Sequence, residues 1–382
     1  MRGALKLFTA FGIPVFIHWT FGFIFVFILW NAHSEGMTTM ETLTYAALFM
    51  SLFVCVLLHE YGHALAARRY GVKTQDIVLM PIGGVARLEK MPDKPVQEFV
   101  VAIAGPMVNV VIAILLVLGI WLLADPAYIE LMANLVISAE EGNSIIEETG
   151  IQIPQSLQFA INLAILNIVL VIFNMIPAFP MDGGRVFRAL LSMKTGRPKA
   201  TRIASMVGQV IAGLIIFYGI WMNAFMTVIL GAFVIYGARS ENAMVQLEDL
   251  LSRYTTRDLV RSRFTRLHAN DWMMTAIETF RHGLERHFLV FDMDENLVGV
   301  LEEESILYAM KKSDVMTEVI NYAHRSQTVR LSDSLAEVHR RIRYEGHGIV
   351  AVLNEEGALA GVVDEAALSN FIRLEEWMSV KR

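Results

Sequence analysis

Six stretches of this sequence are too apolar to rest in water. They are residues 12–30, 43–65, 99–123, 157–179, 203–221 and 225–238. A bilayer core of about 30 Å needs roughly 20 apolar residues in a helix, so only the last stretch is short. It forms a hairpin with the fifth across residues 222–224. Charge follows the same division. Residues 1–240 carry 15 Lys and Arg with 14 Asp and Glu, whereas the shorter segment 241–382 carries 17 and 24. The first density is about half of the ~25% found in soluble domains, and the second slightly exceeds it. The expected architecture is an α-helical polytopic membrane domain with six transmembrane helices over 1–240, then a soluble α/β domain over 241–382. The single cysteine, Cys55, excludes a disulfide framework, and the net charge of −6 gives no support for nucleic-acid binding.

Arg2 and Lys6 precede the first apolar stretch, but no small-residue cleavage site follows it, so it reads as a retained span and not a signal peptide. Lys and Arg then set the orientation. Loops 31–42 and 124–156 contain neither, although the second holds six carboxylates. Arg68, Arg69, Lys73, Arg87, Lys90 and Lys94 follow the second span, and Arg185, Arg188, Lys194, Arg197, Lys199 and Arg202 follow the fourth. The N-terminus, both basic loops and the polar tail are therefore expected in the cytoplasm of a multi-pass cell-membrane protein. Residues 77–88 read as two short strands around Gly83-Gly84, a hairpin against the membrane face. Such backbone is tolerated at membrane depth only where protein or water satisfies it.

The second span contains His59-Glu60-Tyr61-Gly62-His63. On a helix, His59 and His63 share one face, one turn apart, and can chelate one Zn²⁺. Glu60, beside the first ligand, can take a proton from water at the metal. A chance occurrence is far rarer than once in a chain of this composition. Three ionisable side chains within five positions of a membrane helix are also costly, and such groups mark function. A catalytic zinc takes three protein ligands. Asp182 is the one acidic residue at the end of the fourth span, beyond Pro177 and Pro180, which break the helix, and ahead of Gly183-Gly184. The orientation puts it at the same cytoplasmic depth as His59, so it is the candidate third ligand.

These motifs resemble the site-2 protease family of intramembrane zinc metalloproteases. The resemblance rests on His59–His63, on Gly105-Pro106-Met107-Val108-Asn109 and on the segment from Asn174 through Pro177, Pro180 and Asp182 to Gly184. It also rests on Gly12 to Trp19 and on Pro81 to Val85. It covers about residues 7–238 and is closest to the branch with a C-terminal pair of CBS domains. It implies one Zn²⁺ per subunit held by His59, His63 and Asp182, with Glu60 as general base and then proton donor to the leaving amine. It implies that Asn174 positions substrate or stabilises the oxyanion, and that the 72–88 hairpin pairs with an extended substrate strand. Its substrates would be transmembrane proteins such as an anti-sigma factor, a pro-sigma factor or a remnant signal peptide.

Other polar residues fit plainer roles. His18 reads as an interfacial histidine satisfied locally, Asn109 as a helix-packing residue, and Cys55 as a small core residue. The tail repeats itself: residues 286–292 and 296–301, then 348–353 and 358–363, each followed by a helical run, resemble a CBS pair. Each copy lacks both the hydroxyl and the following Asp that serve adenosine nucleotides in CBS domains. Glu302, Glu303 and Glu304 would also repel phosphate. These departures count against nucleotide binding and leave homodimerisation or substrate gating as roles for the tail. The alternative reading is a CBS-regulated cation transporter or channel using the same polar residues. The absence of obvious sequence halves argues against it.

Overall fold

The computed structural model describes residues 3–380 except 82, 90, 93, 124–153, 284, 346 and 347. The acidic stretch 124–153, expected to form a loop, lies outside the described residues. The chain divides into two compact units, Met1–Ala243 and Met244–Arg382.

The first unit opens with an antiparallel pair, β1 (Ala4–Ala10) and β2 (Ile13–His18), followed by α1 (Gly22–Ser34) and α2 (Thr39–Arg69). A capping box starts α2: Thr38 Oγ1 accepts from the Glu41 N–H, and Glu41 accepts from the Thr38 N–H. Next come β3 (Thr74–Met80), β4 (Gly83–Leu88) and α3 (Pro95–Leu123), then α4 (Gln155–Asn174), α5 (Asp182–Thr195), α6 (Arg197–Trp221) and α7 (Phe225–Ser252). The strands form one sheet in the order β1-β2-β3-β4, with β2 parallel to β3 and β4 at an edge. The expected hairpin is therefore present, with Gly83 and Gly84 inside β4 and not at its turn.

Among the described residues four helices are long and apolar enough to cross a membrane: α2, α3, α4 and α6. The expected count of six stands unconfirmed. Residues 13–18 of the first expected span form β2, so only the shorter apolar helix Trp19–Ser34 remains of it. Ile13, Val15 and Ile17 are β-branched and alternate along the chain, which suits a half-buried strand. The sixth expected span is the first half of α7, which runs on into polar sequence.

The second unit holds two copies of strand–helix–strand–strand–helix. The first comprises β5 (Arg266–His268), α8 (Met273–His282), β6 (Phe288–Phe291), β7 (Leu297–Leu301) and α9 (Glu303–Lys312). The second comprises β8 (Thr328–Arg330), α10 (Leu335–Glu345), β9 (Ile349–Leu353), β10 (Leu359–Asp364) and α11 (Glu365–Val380). Each copy contributes a three-stranded sheet. Leu289, Phe291 and Val300 of one copy pack with Ile349, Ala351 and Val362 of the other in a shared core. The repeat seen in the sequence was the last three elements of each copy.

Candidate metal centre

Three donor atoms meet between α2 and the start of α5. His59 Nε2, His63 Nε2 and Asp182 Oδ2 lie 3.1 Å from one another in all three pairs. All three residues are buried. The histidines meet because α2 is unbroken from Thr39 to Arg69, which puts positions 59 and 63 one turn apart. Asp182 reaches them by a fold-back. After α4 ends at Asn174 the chain doubles over residues 175–181 and restarts as α5, with Asp182 in its first turn. Only glycine fits that bend. A Cβ on Gly183 would run into the Met175 and Ile176 backbone, and one on Gly184 would lie 2.6 Å from the Ala178 carbonyl carbon.

Each histidine is oriented from behind. His63 Nδ1 donates to the Val101 carbonyl at 2.7 Å, and His59 Nδ1 donates to Asn109 Oδ1 at 2.6 Å. With the proton on Nδ1, each neutral ring turns an Nε2 lone pair toward Asp182. In that neutral form the three acceptors, 3.1 Å apart, repel one another unless a metal ion or a shared proton sits among them. Their spacing is close to the ~3.3 Å between ligands of a tetrahedral zinc with bonds of about 2.0–2.1 Å. Space is kept for the arrangement by Gly105 on α3, where a Cβ would overlap the His63 ring and come within 2.7 Å of His59 Nε2. Two histidines and a carboxylate are a common donor set for zinc, so the residues present fit the ion. Among the described residues this is the one cluster of three His, Cys, Asp or Glu side chains close enough to hold a metal.

Glu60 does not join the cluster. Its Oε2 accepts a 2.9 Å hydrogen bond from the Ala86 N–H of β4. Asn174, expected at the site, closes α4 without a side-chain hydrogen bond to the cluster among the described residues. Asn109 does more than the packing expected of it: its Nδ2 donates to Asn167 Oδ1 between helices, and its Oδ1 accepts from His59 Nδ1. Cys55 is buried and accepts weakly from Asn167 Nδ2 at 3.4 Å. His18 bonds locally to Thr20 Oγ1 at 2.7 Å.

A second buried polar group was not foreseen. Arg188 of α5 is fully buried, with Nε 2.6 Å from Glu98 Oε1 at the start of α3 and Nη1 2.5 Å from Glu241 Oε1 of α7. The sequence did carry a signal for it, namely opposite charges beside three apolar stretches.

The chain is similar to known zinc metalloproteases. A family model described as peptidase family M50 matches residues 47–218, and a CBS domain model matches residues 313–373. A zinc metalloprotease of Methanocaldococcus jannaschii is 34% identical over 261 residues, covering 68% of this chain and 67% of its own. A protein named as a putative zinc metalloprotease of Synechocystis is 29% identical over 338 residues, covering 83% and 80%. Stage IV sporulation protein FB of Bacillus subtilis is 23% identical over 268 residues, covering 68% and 82%. The solved site-2 protease of Methanocaldococcus jannaschii is 34% identical, covering 63% of this chain and 95% of that one, with a TM-score of 0.43.

Proposed function

Because the chain belongs to peptidase family M50 and is a zinc metalloprotease with a CBS-type tail, we propose that it cuts peptide bonds in or beside transmembrane segments of other membrane proteins. In this reading His59, His63 and Asp182 hold one zinc ion and Glu60 is the general base. The observation that carries it is the convergence of His59 Nε2, His63 Nε2 and Asp182 Oδ2, buried and 3.1 Å from one another.

When bound, zinc makes water nucleophilic near neutral pH and polarises the scissile carbonyl. The chain's own residues do the rest. Glu60 takes the proton from the attacking water and passes it to the leaving amine. A transmembrane helix hides its amides in hydrogen bonds, so a substrate must unwind before attack. The open edge of β4 can receive the unwound segment as an added strand, and Ala86 ties that edge to Glu60. Asn174, just before the fold-back, is assigned to substrate contact.

The domain limits 1–240 and 241–382, a cytoplasmic N-terminus and tail, and dimerisation through the tail belong to the same reading. Substrates would be of the anti-sigma factor, pro-sigma factor or remnant signal peptide type. A transporter reading of the same residues leaves Glu60 without a role. The test is metal analysis and cleavage of a transmembrane reporter by detergent-purified protein. The expected result is one zinc per chain and cleavage lowered by about 10²–10⁴-fold in Glu60→Gln. Cleavage at the wild-type rate in that variant would sink the proposal.

A further inference from the structure

Behind His59 runs a chain of buried amides whose direction is forced from its far end. Asn109 on α3 and Asn167 on α4 are both fully buried. Asn167 Nδ2 donates to the Leu163 carbonyl at 2.8 Å. A carbonyl can only accept, so Asn167 must turn its NH₂ there and its oxygen toward Asn109. That oxygen receives Asn109 Nδ2 at 2.8 Å. Asn109 must then point its own oxygen at His59 Nδ1, 2.6 Å away. An oxygen there requires the proton on Nδ1, which in the neutral ring leaves Nε2 bare. The Leu163 carbonyl thus sets the tautomer of His59 through two side chains. His63 needs no relay, because a backbone carbonyl takes its Nδ1–H directly.

We infer that Asn109 and Asn167 are positioning residues that hold His59 in its metal-binding tautomer. This rests on the zinc reading above and adds to it two residues outside the ligand set. The alternative for such a buried pair is packing: two amides that satisfy each other and link α3 to α4. The two roles make different demands on Asn109. Packing needs its N–H toward Asn167, whereas tautomer control needs its oxygen toward His59. Asn109→Asp separates them, since it keeps an oxygen for His59 and presents no N–H to Asn167.

The experiment is the zinc dissociation constant of the full chain in detergent, measured by competition with a chromogenic chelator, with the melting temperature recorded alongside. Groups that orient metal-binding histidines are typically worth about 10–100-fold in metal affinity. Asn109→Leu is expected to weaken zinc binding by that factor. Asn109→Asp is expected to stay within about threefold of wild type, even where its melting temperature falls. Asn167→Leu, which frees the Asn109 amide to flip, is expected to weaken zinc binding by at least about threefold and reads the relay if Asn109→Leu does not accumulate. Wild-type affinity in Asn109→Leu or in Asn167→Leu would overturn the inference, as would equal losses in Asn109→Leu and Asn109→Asp. A wild-type chain that binds no zinc would instead overturn the parent reading.

Discussion

Glu60 accepts a 2.9 Å hydrogen bond from the backbone N–H of Ala86, which ties the proposed base to the edge strand of the sheet. The same side chain lies close to the strand at Gly84, where a Cβ would be 2.7 Å from Glu60 Cγ. Glu60→Gln keeps an oxygen for Ala86 and so should keep the fold and the zinc. It removes the proton acceptor, and general-base catalysis is worth about 10²–10⁴-fold in rate. Cleavage should fall by that factor with zinc content unchanged. Zinc lost together with activity would place Glu60 among the metal-holding groups instead.

Gly105→Ala should empty the metal centre. The added methyl would overlap His63 and press on His59. Nor can α3 back away freely to make room. Moving away from α2 would pull apart the hydrogen bonds that His63 and His59 make to Val101 and Asn109 on the same helix. Overpacking of this kind costs about 1–3 kcal/mol, and here the groups displaced are the two histidines. Zinc per chain after size-exclusion chromatography should drop well below one, while the protein stays monodisperse. A full zinc complement in that variant would contradict this account of Gly105.

What the sequence made legible was local. His59 and His63 follow from a spacing of four on a helix, and Asp182 from being the acidic residue at a broken span. The tail repeat was visible because buried strands such as Phe288–Phe291 read as short apolar runs. What stayed hidden depends on partners distant in the chain. Asn109 lies 50 positions from His59 and 58 from Asn167, so nothing near it in the sequence distinguishes a positioning amide from a packing one. Strand β2 reads as part of the first span because its apolar run continues without interruption into α1, and hydropathy does not register backbone conformation. Its parallel partner β3 is likewise distant in sequence.

The Glu98–Arg188–Glu241 group should hold α5, and with it Asp182, in place. Removing one partner of a buried ion pair typically costs about 3–5 kcal/mol. Arg188→Met should therefore lower the thermal midpoint strongly, and Arg188→Lys should recover little, because one ammonium cannot reproduce the forked contacts. Burial disfavours the charged form of Glu241, but Arg188 and the nearby Arg185 and Arg197 outweigh it and hold the carboxyl below its ordinary range. A lowered carboxylate pKa stabilises the fold above the unfolded value of about 4.3 and ceases to as pH falls through the folded value. Wild type should lose stability on acidification below about pH 4.3, and Glu241→Gln should lose less over the same window. Parallel stability curves for the two proteins would contradict this.

In the tail, His287 sits against Gly348, which has a φ of +64° and where a Cβ would run into the imidazole. Gly348→Ala is therefore strained twice, by its backbone conformation and by the ring. Burial holds the His287 pKa below the ordinary histidine value, outweighing the opposing pull of Glu302, Glu303, Glu365 and Asp364. The native tail thus binds the neutral ring, while the unfolded chain takes up a proton at about pH 6.5. Where the unfolded state binds more protons, stability rises with pH. The tail should therefore be most stable above about pH 6.5, and should weaken as pH falls from there toward the lower folded value. Hydrogen exchange of the β6 and β9 amides in the full chain would read this as faster exchange, corrected for intrinsic rates, at pH 5.5 than at pH 7.5. His287→Leu fills the same space without a titrating group and should flatten the difference. An equal pH dependence in that variant would show that another group of the tail sets it.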